Sequence, residues 1–353
     1  MMNKGLYIHI PFCSHICSYC DFAKVIYRED YVNRYLLSLE KELNSYDIKD
    51  ITSIYIGGGT PTSLNLEQFE RLLIIVSKYL REGMSYTIEG NVENFDVDKI
   101  KLLDKYHVNR VSIGVQTFDD QLLKLLNRKH NKEDVYSLVN NLIKYNIRDI
   151  NLDLIYALPN QNLDMLKKDL AIITSLPITH ISTYSLMVNP NTVFGIKNVQ
   201  EQNEDNVREM YDYIYEYLKE KGFNRYEVSN FSKVNYESKH NLIYWRNQEY
   251  YGIGLGASGY LDNIRYDNTR SLTKYLEGKT RVNEEILTNR DKEFYHIMLG
   301  LRLQEGIEVD NELYISKLNQ LIKKGLIEKN NEKYKVTDDN LFILDYILGK
   351  IIL

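Results

Sequence analysis

Cysteine is almost missing from this chain. It has 3 in 353 residues, and Cys13, Cys17 and Cys20 lie within eight positions of one another, spaced CxxxCxxC. An odd count with no apparent signal peptide argues against a disulfide framework, because such frameworks use paired thiols in secreted chains. Long apolar runs are missing too: no stretch approaches about 18 consecutive apolar residues, so no transmembrane helix is expected. Basic excess is absent, the formal net charge being -5, which argues against a general nucleic-acid surface. No internal repeat and no low-complexity linker stand out. No GxGxxG follows the first candidate strand, which argues against a dinucleotide-binding Rossmann fold.

What is present is ordinary for a globular protein: 44% hydrophobic and 26% charged residues, enough chain for one large domain of roughly 200 residues and a smaller one. The 30 tyrosines read as compositional bias. GLYIHI begins almost at once, leaving no room for a targeting segment, so a cytoplasmic location is expected.

The organising stretch is YIHIPFCSHICSYCDF, residues 7 to 22. Thiolates clustered on a short loop suit a soft metal. Structural zinc normally takes four protein ligands, and no second cysteine pair exists; His15 is a conceivable fourth on a very short leash. Three cysteines can instead ligate three irons of a [4Fe-4S] cluster and leave the fourth open. The open cluster is the favoured reading, with zinc and unliganded thiols as alternatives. CxxxCxxC after a first strand resembles the radical S-adenosylmethionine (SAM) superfamily. That resemblance implies SAM bound through its amino and carboxylate groups to the open iron, then reduced to a 5'-deoxyadenosyl radical.

Short apolar strands alternate with amphipathic helices along the first half. Strands are expected at 5–10, 51–56, 85–90, 110–116, 149–158 and 179–186, with helices at 31–44, 66–80, 96–106, 119–126, 131–145 and 163–174. This pattern predicts an α/β fold: a partial (β/α)6, TIM-like barrel with its functional residues at the C-terminal strand ends. The second strand runs into Gly57-Gly58-Gly59-Thr60-Pro61, where glycines admit a ligand to backbone N–H groups. Glu89, Gln116 and Asp153 stand at consecutive strand ends, where buried polar groups need partners. Arg128 suits a ligand carboxylate; each of these residues alone could equally serve the fold, for example as a cap.

After residue 190 the alternation breaks. A helix is expected at 204–221, then YEVSNF, YESKHNLIYW and the glycine-rich YYGIGLGASGYL at 250–261, which reads as close backbone packing near the barrel or a flat ligand. His240, near the single tryptophan, is either an iron or porphyrin ligand or a satisfied structural histidine. From about 288 the order helix, helix, strand, turn, strand, helix is winged-helix-like. Without basic character it suggests protein contact or a lid more than DNA binding. The expected division is 1–200 barrel, 201–287 heme- or porphyrin-associated linking segment, and 288–353 C-terminal α+β module.

YIHIPFC, CSYCDF, IGGGTP, RVSIGVQTF, NLDLIYALPNQ, NTVFG, YEVSNF and HNLIYW together resemble, over nearly the full length, the oxygen-independent coproporphyrinogen III oxidase family. In the family's porphyrinogen dehydrogenases the third cysteine is followed by x-Cys, whereas here Asp21 and Phe22 follow Cys20. The extended N-terminal region of those enzymes is also absent. Both departures point to the family's heme-chaperone branch. The resemblance implies that Cys13, Cys17 and Cys20 ligate a [4Fe-4S] cluster and that Tyr7 lies by SAM. It implies that Gly58, Gly59 and Thr60 receive the amino-acid end of SAM. Glu89, Gln116, Arg128 and Asp153 make the remaining polar contacts, and the Ala157 backbone approaches adenine. His240, Asn241, Tyr244 and Trp245 match a heme-associated HNxxYW signature. Ser258 stands where relatives commonly have histidine, which predicts weaker heme uptake.

The function expected is a heme-binding chaperone with a cluster and SAM. Its partners would be a heme-accepting client, such as a membrane-associated respiratory protein, and an electron donor, with no nucleic acid. Coproporphyrinogen III dehydrogenase activity is the alternative and is not expected. An interaction protein with a vestigial cofactor site is the third reading, disfavoured by the complete set of thiols and glycines.

Overall fold

The computed structural model describes residues 3–352. Six parallel strands follow the alternation: β1 (Lys4–Ile10), β2 (Ile51–Gly58), β3 (Ser85–Asn91), β4 (Arg110–Gln116), β5 (Asp149–Tyr156) and β6 (His180–Ser185). They pair side by side in chain order. The connecting helices are α1 (Glu29–Asn44), α2 (Leu66–Ser77), α3 (Val97–Lys105), α4 (Asp120–Leu125), α5 (Lys132–Lys144) and α6 (Leu163–Ser175). Most start on a side-chain cap: Asn65, Asp96, Asp119, Asn131 and Asn162 each accept a hydrogen bond from a backbone N–H of the first turn. Such caps satisfy donors the helix itself leaves free, worth about 1 kcal/mol each.

The strands read as continuous apolar runs because both faces are covered; all seven residues of β4 are buried. Ile8, Ile54, Ile88, Ile113 and Leu152 of the strands share one core with Leu36, Leu72, Leu73, Val139 and Leu142 of the helices. Burying each such side chain contributes roughly 1.5–3 kcal/mol.

The sheet continues past the six strands on both sides. β7 (Asn224–Arg225), at the edge, pairs antiparallel with β8 (Asn230–Ser232), which pairs antiparallel with β6. At the other edge, β9 (Tyr250–Ile253) pairs parallel with β1, and β10 (Ser258–Leu261), β11 (Ile264–Asn268) and β12 (Arg281–Ile286) extend it as a meander. The result is one 12-stranded sheet, order β12-β11-β10-β9-β1-β2-β3-β4-β5-β6-β8-β7, an incomplete barrel with two edges. The glycine-rich stretch packs against β1: a Cβ on Gly254 would lie 2.5 Å from the His9 carbonyl oxygen, and its φ of +103° is one that glycine tolerates.

The C-terminal elements are α7 (Glu204–Glu220), α8 (Lys239–Trp245), α9 (Asn289–Gly300), α10 (Glu312–Lys323), the hairpin β13 (Ile327–Asn330) and β14 (Lys333–Val336), and α11 (Leu344–Ile352). From α9 onward the order of elements is that of a winged helix, around a separate core containing Ile297, Leu318, Val336 and Ile347. The ion pair Arg225 to Asp338 (3.0 Å) and the Gln304 N–H donated to the Tyr226 carbonyl (3.0 Å) fasten it to the sheet. No helix among the described residues is long and apolar enough to cross a membrane.

Candidate functional site

A cavity of about 300 Å³ opens at the C-terminal strand ends, lined by all three cysteines on one side. The cysteine loop is pinned at both ends. Phe12–Cys13 pairs in parallel with Val25–Ile26, Val25 N–H donates to the Pro11 carbonyl (2.7 Å) and Tyr27 N–H to that of Cys13 (2.8 Å). The glycine turn is stitched to the same segment, Gly59 N–H donating to Ile10 (2.9 Å) and Thr60 N–H to Phe12 (2.9 Å). His9 closes the exit by donating from Nε2 to the Ala23 carbonyl (2.7 Å), which leaves Nδ1 to accept from the Tyr7 hydroxyl (2.9 Å). Burial holds His9 neutral, its pKa pulled down to about 4.

Each sulfur environment is distinct. Thr60 Oγ1 donates to Cys13 Sγ (3.6 Å), and Arg128 Nη1 to Cys17 Sγ (3.7 Å). Burial pushes the Cys13 thiol up to about 11 and raises that of Cys20; a bound metal would favour the thiolate at both. Arg128 is itself buried. Its Nη2 lies 3.4 Å from Glu93, which also lies 3.5 Å from His130 and 3.3 Å from His15. Burial works against ionisation of Glu93, but the His130 contact and the Arg128 charge together hold its pKa down to about 2.

Across the cavity stand Glu89, Gln116 and Asp153. Glu89 accepts from the Tyr55 hydroxyl (2.6 Å) and the Gly58 N–H (2.9 Å), and burial pushes its pKa up to about 7. Asp153 accepts from Asn151 Nδ2 (2.7 Å), and burial pushes it up to about 6. Asn151 also donates to Ser112 Oγ (2.8 Å), while its carbonyl oxygen receives Ser182 Oγ (3.1 Å) and His180 Nδ1 (2.6 Å). His180 is neutral through burial; with Nδ1 donating, its Nε2 accepts from the Tyr226 hydroxyl (2.9 Å). Gln116 sits at a register shift between β4 and β5 with φ +74°, a strained conformation for a side-chain-bearing residue. A Cβ on Gly114 would stand 2.7 Å from the Gln116 amide nitrogen, so that glycine makes room for it.

The other candidates lie elsewhere. Ala157 is buried just past β5 with φ +57° and does not line the cavity. Tyr7 and Tyr244 line a second cavity, of about 630 Å³. His240 is 1% exposed and closed off: Nδ1 bonds Ser53 Oγ (2.7 Å), Nε2 bonds the Tyr244 hydroxyl (2.7 Å), and the ring stacks on Tyr55. Burial pulls its pKa down to about 3. Asn241 sits in the first turn of α8, where its N–H meets the Ser238 cap (3.3 Å). Trp245 is half-buried, with the Arg302 guanidinium 5.6 Å from its ring.

Residues 7–173 match the Radical SAM superfamily. The heme chaperone HemW of Lactococcus lactis subsp. lactis is 39% identical over 374 residues, covering 100% of this chain and 99% of its own length. This chain belongs to the HemW family. HemW of Bacillus subtilis is 35% identical, covering 98% of each chain. In fold, Escherichia coli coproporphyrinogen III oxidase (HemN), described as a radical SAM enzyme, superposes with TM-score 0.87 at 20% identity, covering 99% of this chain and 90% of that one. The radical SAM α/β fold with a partial barrel, expected from the alternation, is therefore the fold of this HemW-family chain.

The donor set fits a cluster with a polar ligand beside it. No three His, Cys, Asp or Glu side chains among the described residues converge on a point for a single ion. A cube asks for no such convergence, since each cysteine ligates a different iron. Thr60, Arg128 and Lys24 supply hydrogen bonds or positive charge on the cysteine side. Glu89 and Asp153, both buried with raised pKa, want hydroxyl or ammonium donors of the kind a nucleoside or amino acid brings. Glu93, Asn151 and His180 went unread in the sequence. The signal for Asn151 was faint: an asparagine within an apolar strand, two positions before an aspartate on the same face.

Proposed function

We infer that this chain takes up heme and passes it unchanged to a client protein, a reading supported by its relatives' name, heme chaperone HemW. Cys13, Cys17 and Cys20 hold a [4Fe-4S] cluster. Gly58, Gly59 and Thr60 line the cavity where the amino-acid end of SAM sits, although their N–H groups are already bonded to Glu89, Ile10 and Phe12. Glu89, Gln116, Arg128 and Asp153 bind its remaining polar groups; Ala157, behind the cavity wall, makes no contact there. A cluster held by these three cysteines would supply the electron that reduces SAM. The protein's own part is to bury the ligand, exclude water and orient it between the cysteine loop and the two carboxylates. Tyr7 acts indirectly, by fixing the His9 ring that ties the loop shut. The α8 segment serves heme through Tyr244, with His240 behind it.

The observation that carries this reading is the meeting of three loop thiols with Glu89 and Asp153 around one cavity, in a chain that aligns end to end with HemW. The partners are an electron donor for the cluster and a heme-accepting client. Met187 and Phe22, both well exposed at the cavity wall, give such partners an apolar rim to meet.

Anaerobically purified protein is expected to carry about four irons and four sulfides per chain, as one cube requires, and Cys17→Ala to lose them. SAM should perturb the EPR spectrum of the reduced cluster, and heme titration should saturate near one per chain. Coproporphyrinogen III with SAM and reductant should give no protoporphyrinogen. Its accumulation over several turnovers without heme uptake would replace the chaperone reading with the dehydrogenase one.

A further inference from the structure

We propose that the cargo site is the second cavity, between the cysteine loop and the β9–β11 meander, and that it takes a flat tetrapyrrole whose carboxylates face Arg270. The proposal rests on the heme reading above and adds where the heme lies.

At about 630 Å³ the second cavity is about twice the first, at about 300 Å³, and within the size range of drug-sized ligand sites. Four aromatic side chains stand in its otherwise mostly polar wall: Tyr7 from β1, Tyr244 from α8, Tyr250 from β9 and Phe22 from the cysteine loop. Tyr244 and Tyr250 meet edge to face at 4.5 Å, a rigid surface for an extended π-system. Gly256, φ +71°, is part of the wall, and its missing Cβ makes room for Ala23, whose Cβ would stand 2.5 Å from it.

Charge gives the orientation. Arg270 is exposed, and one of its nitrogens, Nη2, donates to the Asp21 backbone carbonyl (2.7 Å). Its remaining donors form the planar fork that suits carboxylate. Two acidic groups, Asp21 and Asp267, also line the cavity. Both are engaged: Asp21 accepts from Asn189 (2.8 Å), and Asp267 from Ser258 Oγ (2.6 Å) and Asn283 (3.4 Å). With both carboxylates engaged, Arg270 is the cationic side chain of this lining and the anchor for a propionate.

This placement also explains α8. His240 has both ring nitrogens bonded inside the fold and no free face toward a ligand, whereas Tyr244 lines the cavity and is held by His240 Nε2 at 2.7 Å. His240 is thus a positioning residue for Tyr244, not a group that touches the cargo. Phe22 lines both cavities, so cargo and cluster loop are one side chain apart.

Ser258 is exposed on the cavity wall, so Ser258→Trp fills the space without disturbing the core. Anaerobic heme titration of the cluster-loaded chain should show Ser258→Trp and Arg270→Glu each binding more than tenfold more weakly. Both should keep the wild-type EPR response to SAM, which reads the first cavity and the fold separately. Heme dimethyl ester, lacking free carboxylates, should bind the wild type and Arg270→Glu alike. Wild-type heme affinity in Ser258→Trp would overturn the site, and wild-type affinity in Arg270→Glu would overturn the anchor. Failure of the unsubstituted chain to take up heme would instead remove the chaperone reading and this site with it.

Discussion

Asn151 is the residue whose loss should change the chemistry of the first cavity, proposed above to hold SAM, without lining it. Its Nδ2 donates to Asp153 at 2.7 Å, and a hydrogen bond to a charged group is worth about 1.5–3 kcal/mol net. Asn151→Ala withdraws that support from the ionised form only. At about 1.36 kcal/mol per pKa unit, the Asp153 pKa should rise by about one to two units, starting from about 6. The sign follows from which form the ligand wants. Ionised Asp153 is the better acceptor for ligand hydroxyls, so affinity falls as pH drops through the pKa. At pH 7 a group of pKa about 6 is ionised roughly nine times in ten, and one raised to about 7 or 8 half the time or less. Calorimetric titration of cluster-loaded protein with SAM, from about pH 5.5 to 9, should show the midpoint of the affinity profile moved up by one to two units in Asn151→Ala. The deficit should shrink at the alkaline end. A uniform loss of affinity at every pH, with an unmoved midpoint, would refute the reasoning and make Asn151 a packing residue. The same variant strands His180 and Ser182, so a lower unfolding midpoint is expected alongside, at about 1–3 kcal/mol per orphaned group.

Two more outcomes follow from close contacts. Tyr275→Phe removes the hydroxyl donated to buried Glu42 at 2.5 Å, in a network that also takes the Gly254 N–H and Asn268. Denaturant unfolding at pH 8 should show a loss of about 1.5–3 kcal/mol. Burial raises the Glu42 pKa, so the loss should be largest above that pKa and smaller once acid neutralises the carboxylate. A pH-independent loss would point to packing alone. Gly59→Ala places a Cβ 2.7 Å from the Pro11 carbonyl group, which is backbone and cannot swing away. It should cost about 1–3 kcal/mol and lower cluster content on iron analysis; full iron occupancy with unchanged stability would contradict the contact.

The barrel was legible because parallel strands buried on both faces and amphipathic helices leave different periods in the sequence. Observed α5 (Lys132–Lys144), against an expected 131–145, is bounded by the Asn131 capping box that the sequence displays. β9 was not legible: Tyr250–Ile253 is four residues long and holds a glycine, and its partner β1 lies more than two hundred residues earlier. Three thiols on one loop announced themselves by spacing, whereas the placing of Glu93 3.4 Å from Arg128 left no mark in the sequence. His240 shows the limit most plainly. Its aromatic neighbours in sequence fit a ligand and a structural histidine equally, and the hydrogen bond to Ser53, 187 positions away, can be known only from the fold.

The pinned cysteine loop separates two events that small metal-dependent domains merge. Where metal supplies the folding energy, losing it unfolds the chain. Here the loop is tied by Val25 to Pro11, Tyr27 to Cys13 and His9 to Ala23, with Ser18 N–H held by Leu126 and the Ser18 carbonyl by Phe194 N–H. None of these bonds uses a sulfur. The loop's shape is therefore set by these bonds before any cluster is inserted, so loading and unloading of a cluster would be separable from folding of the chain.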